Sequence, residues 1–306
     1  MTKPYEAANE TKSNFDDVYQ SPTPHAYFGE MHRLDYVIGQ EAKPYFRGAV
    51  ALLRRQLPAN STVRILDLGC SYGVGSALVK YGFSFDEILG FFAENAAHGF
   101  RACVSDTRSW LKEGSAVNRL SCVGADASAP AVKFAVEAGL IEDGIAHDFE
   151  ADPKLDEHER DLIGACDLLI STGTIGYVGE RTVSTILRQL GEARPTNRVP
   201  ITVVTILRMF SPKPIAATFE RFGYRFEAVP GVRLRQRRFA DAREQMETMR
   251  LLRSRGIDPN GWETTGYLYA DLFIGARPDA FPPLLAAMQE VAGSIDPAGE
   301  AVSPEN

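Results

Sequence analysis

Sixteen residues, Val63 to Leu78 (VRILDLGCSYGVGSAL), constrain the fold of this chain more than any other stretch. Val63, Ile65 and Leu66 are the β-branched and aliphatic residues of a buried parallel strand. The run ends at Asp67, and glycines follow at 69, 73 and 75 before a helix-forming segment. Glycine permits backbone angles and close approaches that a Cβ forbids, so a ligand can lie against Gly69, Gly73 and Gly75. The loop opens a helix whose unpaired N–H groups and positive dipole end are expected to face that ligand. Strand, bent loop and helix N-terminus together predict a site for an adenosyl-type ligand. The spacing is not that of a dinucleotide-binding turn, G-x-G-x-x-G, because Leu78 stands where its third glycine would pack helix on strand.

Around this unit the chain alternates strand-like and helix-like segments, the pattern of a parallel sheet covered on both faces. The expected architecture is α/β: a doubly wound, Rossmann-like, seven-stranded mixed sheet. Residues 1–60 are expected to form an N-terminal helical cap, in which Tyr27, Phe28, Met31 and Leu34 recur at helical spacing. A second cap helix is expected from about Glu41 to Leu57, with Pro44 in its first turn. The sheet domain spans 61–292, with a helical insertion at about 82–118 after the first βα unit, and 293–306 is a mobile tail, as are residues 1–17. Later strands are expected at LSCVGAD, GIAHDFE, CDLLIST, ITVVTILRM, Tyr224 to Val229 and GYLYADLFIGA, with VRLRQRRF as a further strand-like run.

Composition narrows the partners. A formal charge of −7 gives no attraction to nucleic acid or to an anionic membrane. No apolar stretch approaches the roughly 20 residues that span a bilayer, and the acidic, polar start is no signal peptide. Cys70, Cys103, Cys122 and Cys166 contain no C-x-x-C pair, so neither a zinc site nor a disulfide framework is expected. These readings point to a cytoplasmic location, to no metal, and to a small-molecule partner; they leave oligomeric state unread.

The glycine loop, Asp67-x-Gly69-x-x-x-Gly73-x-Gly75, resembles the first motif of class I S-adenosylmethionine-dependent methyltransferases, D/E-x-G-x-G-x-G and its variants. The resemblance covers roughly residues 62 to 276, and the N-terminal cap looks like that of bacterial small-molecule methyltransferases. It implies S-adenosyl-L-methionine as cofactor and methyl transfer to a small molecule. It also implies cofactor contacts from Asp67, Gly69, Ser71, Tyr72, Gly73 and Gly75 in the loop, and from Asp126 and Ala127 after the strand LSCVGAD. Asp148 and Phe149 would hold the adenine amine and ring, and Ser171 with Thr172 would open toward the methyl-transfer site. Asp126, expected on the ribose hydroxyls, follows Gly75 by 51 positions, whereas such an acid usually follows within roughly 20; the insertion absorbs the excess, and Asp86 or Glu94 within it are the alternatives.

In-line methyl transfer needs alignment in a dry cavity more than a covalent nucleophile. An oxygen or nitrogen acceptor can still need a base, for which His32 and Tyr177 are the candidates. Tyr27, Phe28 and Tyr36 are expected to cover the site. Arg235, with Arg233 and Arg237 on one face of a strand, is expected either to grip an acidic substrate group or to keep an edge strand soluble. His147 reads as structural, because alternation points it away from Asp148. The competing readings are an NAD-dependent oxidoreductase and a non-catalytic protein that binds an adenosyl ligand.

Overall fold

The computed structural model describes residues 16–94, 99–192 and 200–295. The expected mobile ends at 1–15 and 296–306 lie outside the described residues. Seven strands form one sheet in the order β3-β2-β1-β4-β5-β7-β6. They are β1 (Val63–Leu68), β2 (Leu120–Asp126), β3 (Asp143–Ala146), β4 (Leu168–Ile175), β5 (Ile201–Leu207), β6 (Arg225–Arg238) and β7 (Tyr267–Ala276). The first five pair in parallel, whereas β7 runs antiparallel between β5 and β6. β1 sits at the centre with Val63, Ile65 and Leu66 fully buried, as a strand covered on both faces must.

The sheet is doubly wound. From β1 the chain moves outward to β2 and β3, then returns to β4 and moves the other way. Right-handed crossovers therefore place the helices after β1 and β2 on one face and those after β3, β4 and β5 on the other. The first set is α4 (Val74–Tyr81) and α7 (Ala129–Ala138); the second is α8 (Glu157–Gly164), α9 (Glu180–Glu192) and α10 (Lys213–Arg221). Local chemistry sets their ends. Ser128 caps α7 through the Ala131 N–H at 3.3 Å, with Gly139 left-handed at its C-terminus. Asp156 and Glu159 form a reciprocal capping box on α8.

The N-terminal residues divide between two cores. Helix α1 (Asp16–Tyr19) and α2 (His25–Arg33) join α5 (Phe85–Glu94) and α6 (Phe100–Leu111) of the expected insertion in an aromatic cluster built on Phe28, Phe85, Phe92 and Phe134. Helix α3 (Ile38–Gln56) instead packs on the sheet beside α4 and α12 (Phe281–Ser294), and its Phe46 and Leu53 belong to the main core. It begins before Glu41, so Pro44 falls in its second turn and removes one helical hydrogen bond. β3 stops at Ala146, three residues before the expected strand would reach Phe149. Tyr224 to Val229 and VRLRQRRF merge into the single strand β6, whose register against β7 slips between Ala228 and Arg233 and again between Arg235 and Arg237.

The segment that follows β5 is tied to the one that precedes β7 by a buried ion pair. Arg208 donates to Glu263 at 2.6 Å and to the Asp258 carbonyl at 2.9 Å, with both charged side chains almost fully enclosed. Glu263→Ala leaves that guanidinium uncompensated and should cost about 3–5 kcal/mol, read as a lowered urea midpoint with an unchanged slope.

Candidate functional site

Parallel strands of a doubly wound sheet all end on one edge, and the switch point between β1 and β4 opens a crevice there. In this chain the crevice is a cavity of about 690 Å³, within the usual span of small-molecule sites. One half lies over the ends of β1, β2 and β3; the other lies over the end of β4 and the second slip of β6. Residues from α1 to Gly39 form its roof, including Tyr19, Tyr27, Met31 and Tyr36.

The glycine loop is arranged around Asp67. Its Oδ2 accepts both the N–H and the hydroxyl of Ser76, each at 3.0 Å, and Ser76 is the third residue of α4. The carboxylate thus occupies the helix N-terminus that the sequence assigned to a ligand. Neighbouring donors are committed as well: Gly69 and Cys70 donate to the Ala125 carbonyl at 2.8 and 3.3 Å, Ser71 to Asp126 at 2.9 Å, and Gly73 to Cys70 at 2.8 Å. Gly75 is glycine because a Cβ there would stand 2.9 Å from Asp67 Oδ2. Gly69 is left-handed, with φ +76°, and a Cβ would overlap Thr174. Burial raises the Asp67 pKa to about 6; the Ser76 hydrogen bonds oppose that rise and the charge of Asp126 adds to it.

Asp126 lines the cavity while its two oxygens accept the N–H groups of Ser71 and Ser128, both at 2.9 Å. Burial raises its pKa and these backbone hydrogen bonds hold it down. Each oxygen retains a lone pair for a ligand. Gly69, Ser71, Gly75, Ala127, Asp148, Phe149 and Thr172 also line the wall. Ser71, left-handed at φ +48°, buries a hydroxyl with no partner among the described residues. Asp148 lies beyond β3, where its carboxylate accepts from Glu150 and Ala151 and makes the turn. Strand alternation therefore does not apply, and His147 lines the cavity too. Its ring stacks on Phe149 at 4.6 Å, and its nitrogens meet Glu159 at 2.6 Å and the Asp152 carbonyl at 2.7 Å. Burial would lower the imidazole pKa, but those two partners raise it.

Several expected site residues lie elsewhere. Tyr72 is buried away from the cavity, and its hydroxyl donates to the carbonyls of Val18 and Ser21 at 3.1 and 2.8 Å, holding the roof down. Gly73 turns inward, where a Cβ would stand 3.1 Å from Ala135 and Leu140. Ser171 points to the other side of β4 from Thr172 and donates to the Leu68 carbonyl at 2.8 Å. His32 is exposed on the outer face of α2. Phe28 stacks on Phe92 at 4.4 Å in the aromatic cluster rather than over the cavity. Asp86 and Glu94 are exposed on α5, off the cavity wall.

Over β4, Tyr36 and Thr172 both line the wall, and burial raises the Tyr36 pKa to about 12 against the opposing influence of Thr172. Tyr177 lines the wall and is 49% exposed. The slip between Arg235 and Arg237 turns the ladder of arginines. Arg235 points outward, over the Tyr267 ring and beside Glu41 at 3.6 Å, whereas Gln236 and Arg237 reach the cavity. Arg237 makes a bidentate pair with Glu244 at 2.9 and 2.7 Å. Gln236, Tyr19 and Thr174 carried no sequence signal, since a bulge and a loop crossing bring them here. Among the described residues no group of three His, Cys, Asp or Glu is placed to hold a metal ion, and no helix is long and apolar enough to cross a membrane.

No protein-family profile matches the chain, and no curated protein matches it. Solved structures that resemble it include the magnesium protoporphyrin IX methyltransferase of Synechocystis with bound SAM, at 10% identity over 90% of this chain and 98% of that one, TM-score 0.40. A TehB-like SAM-dependent methyltransferase of Corynebacterium glutamicum shares 14% identity over 74% and 86%, TM-score 0.34. The CurJ carbon methyltransferase shares 10% over 86% and 61%, TM-score 0.45. At that distance the likeness says nothing of what this chain binds.

Asp67 gives the site a pH signature. Its folded pKa of about 6 exceeds its ordinary 3.8, so its contribution favours folding at acid pH and is lost as pH rises through 6. Asp67→Asn keeps an acceptor for Ser76 without the charge. Melting curves from pH 4 to 8 should show the variant gaining on the wild type up to about pH 6 and level thereafter; a constant difference would contradict a buried carboxylate of raised pKa.

Proposed function

We propose that this chain is an S-adenosyl-L-methionine-dependent methyltransferase acting on a small molecule, with the adenosyl group over the ends of β1, β2 and β3. The carrying observation is the hydrogen-bond commitment of the glycine loop. A nucleotide phosphate needs free N–H groups at the loop and helix start. Here the N–H groups of 69, 70, 71, 73 and 76 go to protein acceptors, two of them the carboxylates of Asp67 and Asp126. An adenosyl ligand without phosphate and with a positive sulfonium suits such a site. The sheet agrees, because a dinucleotide-binding sheet runs 3-2-1-4-5-6 in parallel, whereas antiparallel β7 intervenes here.

The residues fit the cofactor. Asp126 offers carboxylate lone pairs to a vicinal diol, Asp148 offers an exposed carboxylate to an amine, Phe149 offers an apolar wall to a planar base, and the buried Ser71 hydroxyl has no partner among the described residues. When bound, the cofactor supplies an electrophilic methyl group on sulfur. The chain's own part is to align the acceptor and exclude water, an effect of up to several kcal/mol. Tyr36, its pKa raised by burial to about 12, keeps its proton at neutral pH, and both nitrogens of His147 are engaged. Neither is a free base; Tyr177, on the wall, is the expected base candidate still at the cavity, and alignment of the acceptor is the main contribution. A charge of −7 and a cavity of about 690 Å³ favour a small acceptor over a polyanion. Four free buried thiols fit a reducing cytoplasm.

Calorimetry should find binding of S-adenosylmethionine and S-adenosylhomocysteine but not of NADH; tight NADH binding alone would overturn the reading. Asp148→Ala should weaken S-adenosylhomocysteine about tenfold, the loss of one hydrogen bond to a charged group. Its melting temperature should barely move, since the turn it caps is exposed. Unchanged affinity would remove Asp148 from the site.

A further inference from the structure

The proposed adenosyl site leaves the other half of the cavity, over β4 and the β6 slip, without an occupant. We infer that this half recognises an uncharged aromatic acceptor bearing a hydroxyl or N–H donor, with the Gln236 amide as its hydrogen-bond partner. The inference rests on the adenosyl reading of the first half.

Gln236 is 4% exposed, forms part of the cavity wall, and has an Oε1 with no partner among the described residues. A buried amide oxygen normally has one, and a substrate donor would supply it. The wall is built to admit the amide: Gly173, left-handed at φ +71°, keeps clear the space where a Cβ would stand 2.8 Å from Gln236 Nε2 and 3.6 Å from the Tyr36 hydroxyl. The same cavity is walled by flat apolar surfaces, the rings of Tyr19, Tyr27 and Tyr36 with the Met31 side chain, and the Tyr36 hydroxyl lies beside the amide across Gly173. Such rings favour offset or edge-on contact with another aromatic ring, and the methionine sulfur favours a ring edge.

Charge selects against an anion. The guanidinium of Arg237 is 3% exposed and already matched by the bidentate carboxylate of Glu244. Asp67, Asp126 and Asp148 line the opposite half and repel a carboxylate. A neutral ring with one donor satisfies the orphaned oxygen without bringing an unpaired charge into the cavity.

Phenol, anisole and benzoate test this on the full chain by ligand-observed NMR titration, with and without saturating S-adenosylhomocysteine. Phenol should bind about tenfold tighter than anisole, the worth of one neutral hydrogen bond in a desolvated site, and tighter than benzoate. Gln236→Met, close in volume and without the amide, should equalise phenol and anisole while leaving S-adenosylhomocysteine affinity within about twofold. Equal binding of phenol and anisole to the wild type, no binding of phenol, or benzoate as the tightest probe would each overturn the proposal, whether or not the variant folds. So would a phenol preference that survives in Gln236→Met. Failure of S-adenosylhomocysteine to bind, with the phenol preference intact in the unloaded chain, would overturn only the adenosyl reading.

Discussion

The buried carboxylate of Asp67 is the contact on which the rest of the site depends. It joins the end of the central strand to the first turn of the following helix by accepting both donors of Ser76. A carboxylate at a helix N-terminus also meets the positive end of the helix dipole, which offsets part of its desolvation. The arrangement demands a glycine at 75, because any side chain would press on the acid. Two residues on, Gly69 is left-handed at a point where a Cβ would overlap Thr174, so the β1 and β4 halves of the cavity meet closely there.

With that contact made, most of the turn is tied up before any ligand arrives. Four further N–H groups are satisfied from within, by the Ala125 and Cys70 carbonyls and by Asp126. The roof is held in the same manner: the hydroxyls of Tyr72 and Ser128 donate to carbonyls of residues 18, 19 and 21. Side chains that look like ligand contacts in the sequence are here the pins of the scaffold, and the ligand-facing surface is left to carboxylates, a serine hydroxyl and rings.

The central strand, the glycine loop and the acids at 126 and 148 were legible because they rest on short-range rules. These are the apolar run of a covered strand, the need for glycine at a tight turn, and the strand order of a doubly wound sheet. The errors fall where those rules run out. Helical spacing groups Phe28 with Tyr27 and Met31 but does not say which of them looks into a cavity and which into an aromatic cluster. Ser171 and Thr172 are adjacent on a strand, so alternation admits only one of them, and that signal was available. The turning of the arginine ladder was not: nothing in VRLRQRRF marks the slip at Gln236, where the pairing of β6 with β7 passes from its second register to its third.

That slip has a consequence for how the pocket can change over time. Side chains on a strand alternate between faces, so a shift of one residue exchanges every inward group for its neighbour. In β6 the Gln236 amide reaches the cavity between Arg235, which points outward, and Arg237, whose charge is matched by Glu244. A one-residue insertion or deletion in the bulge from Val229 to Val232 would change which β6 side chains face the cavity, with no replacement at the wall itself. Related chains with the same residues around the cavity could then differ in what they accept, and length differences in this bulge would be the mark to compare among them.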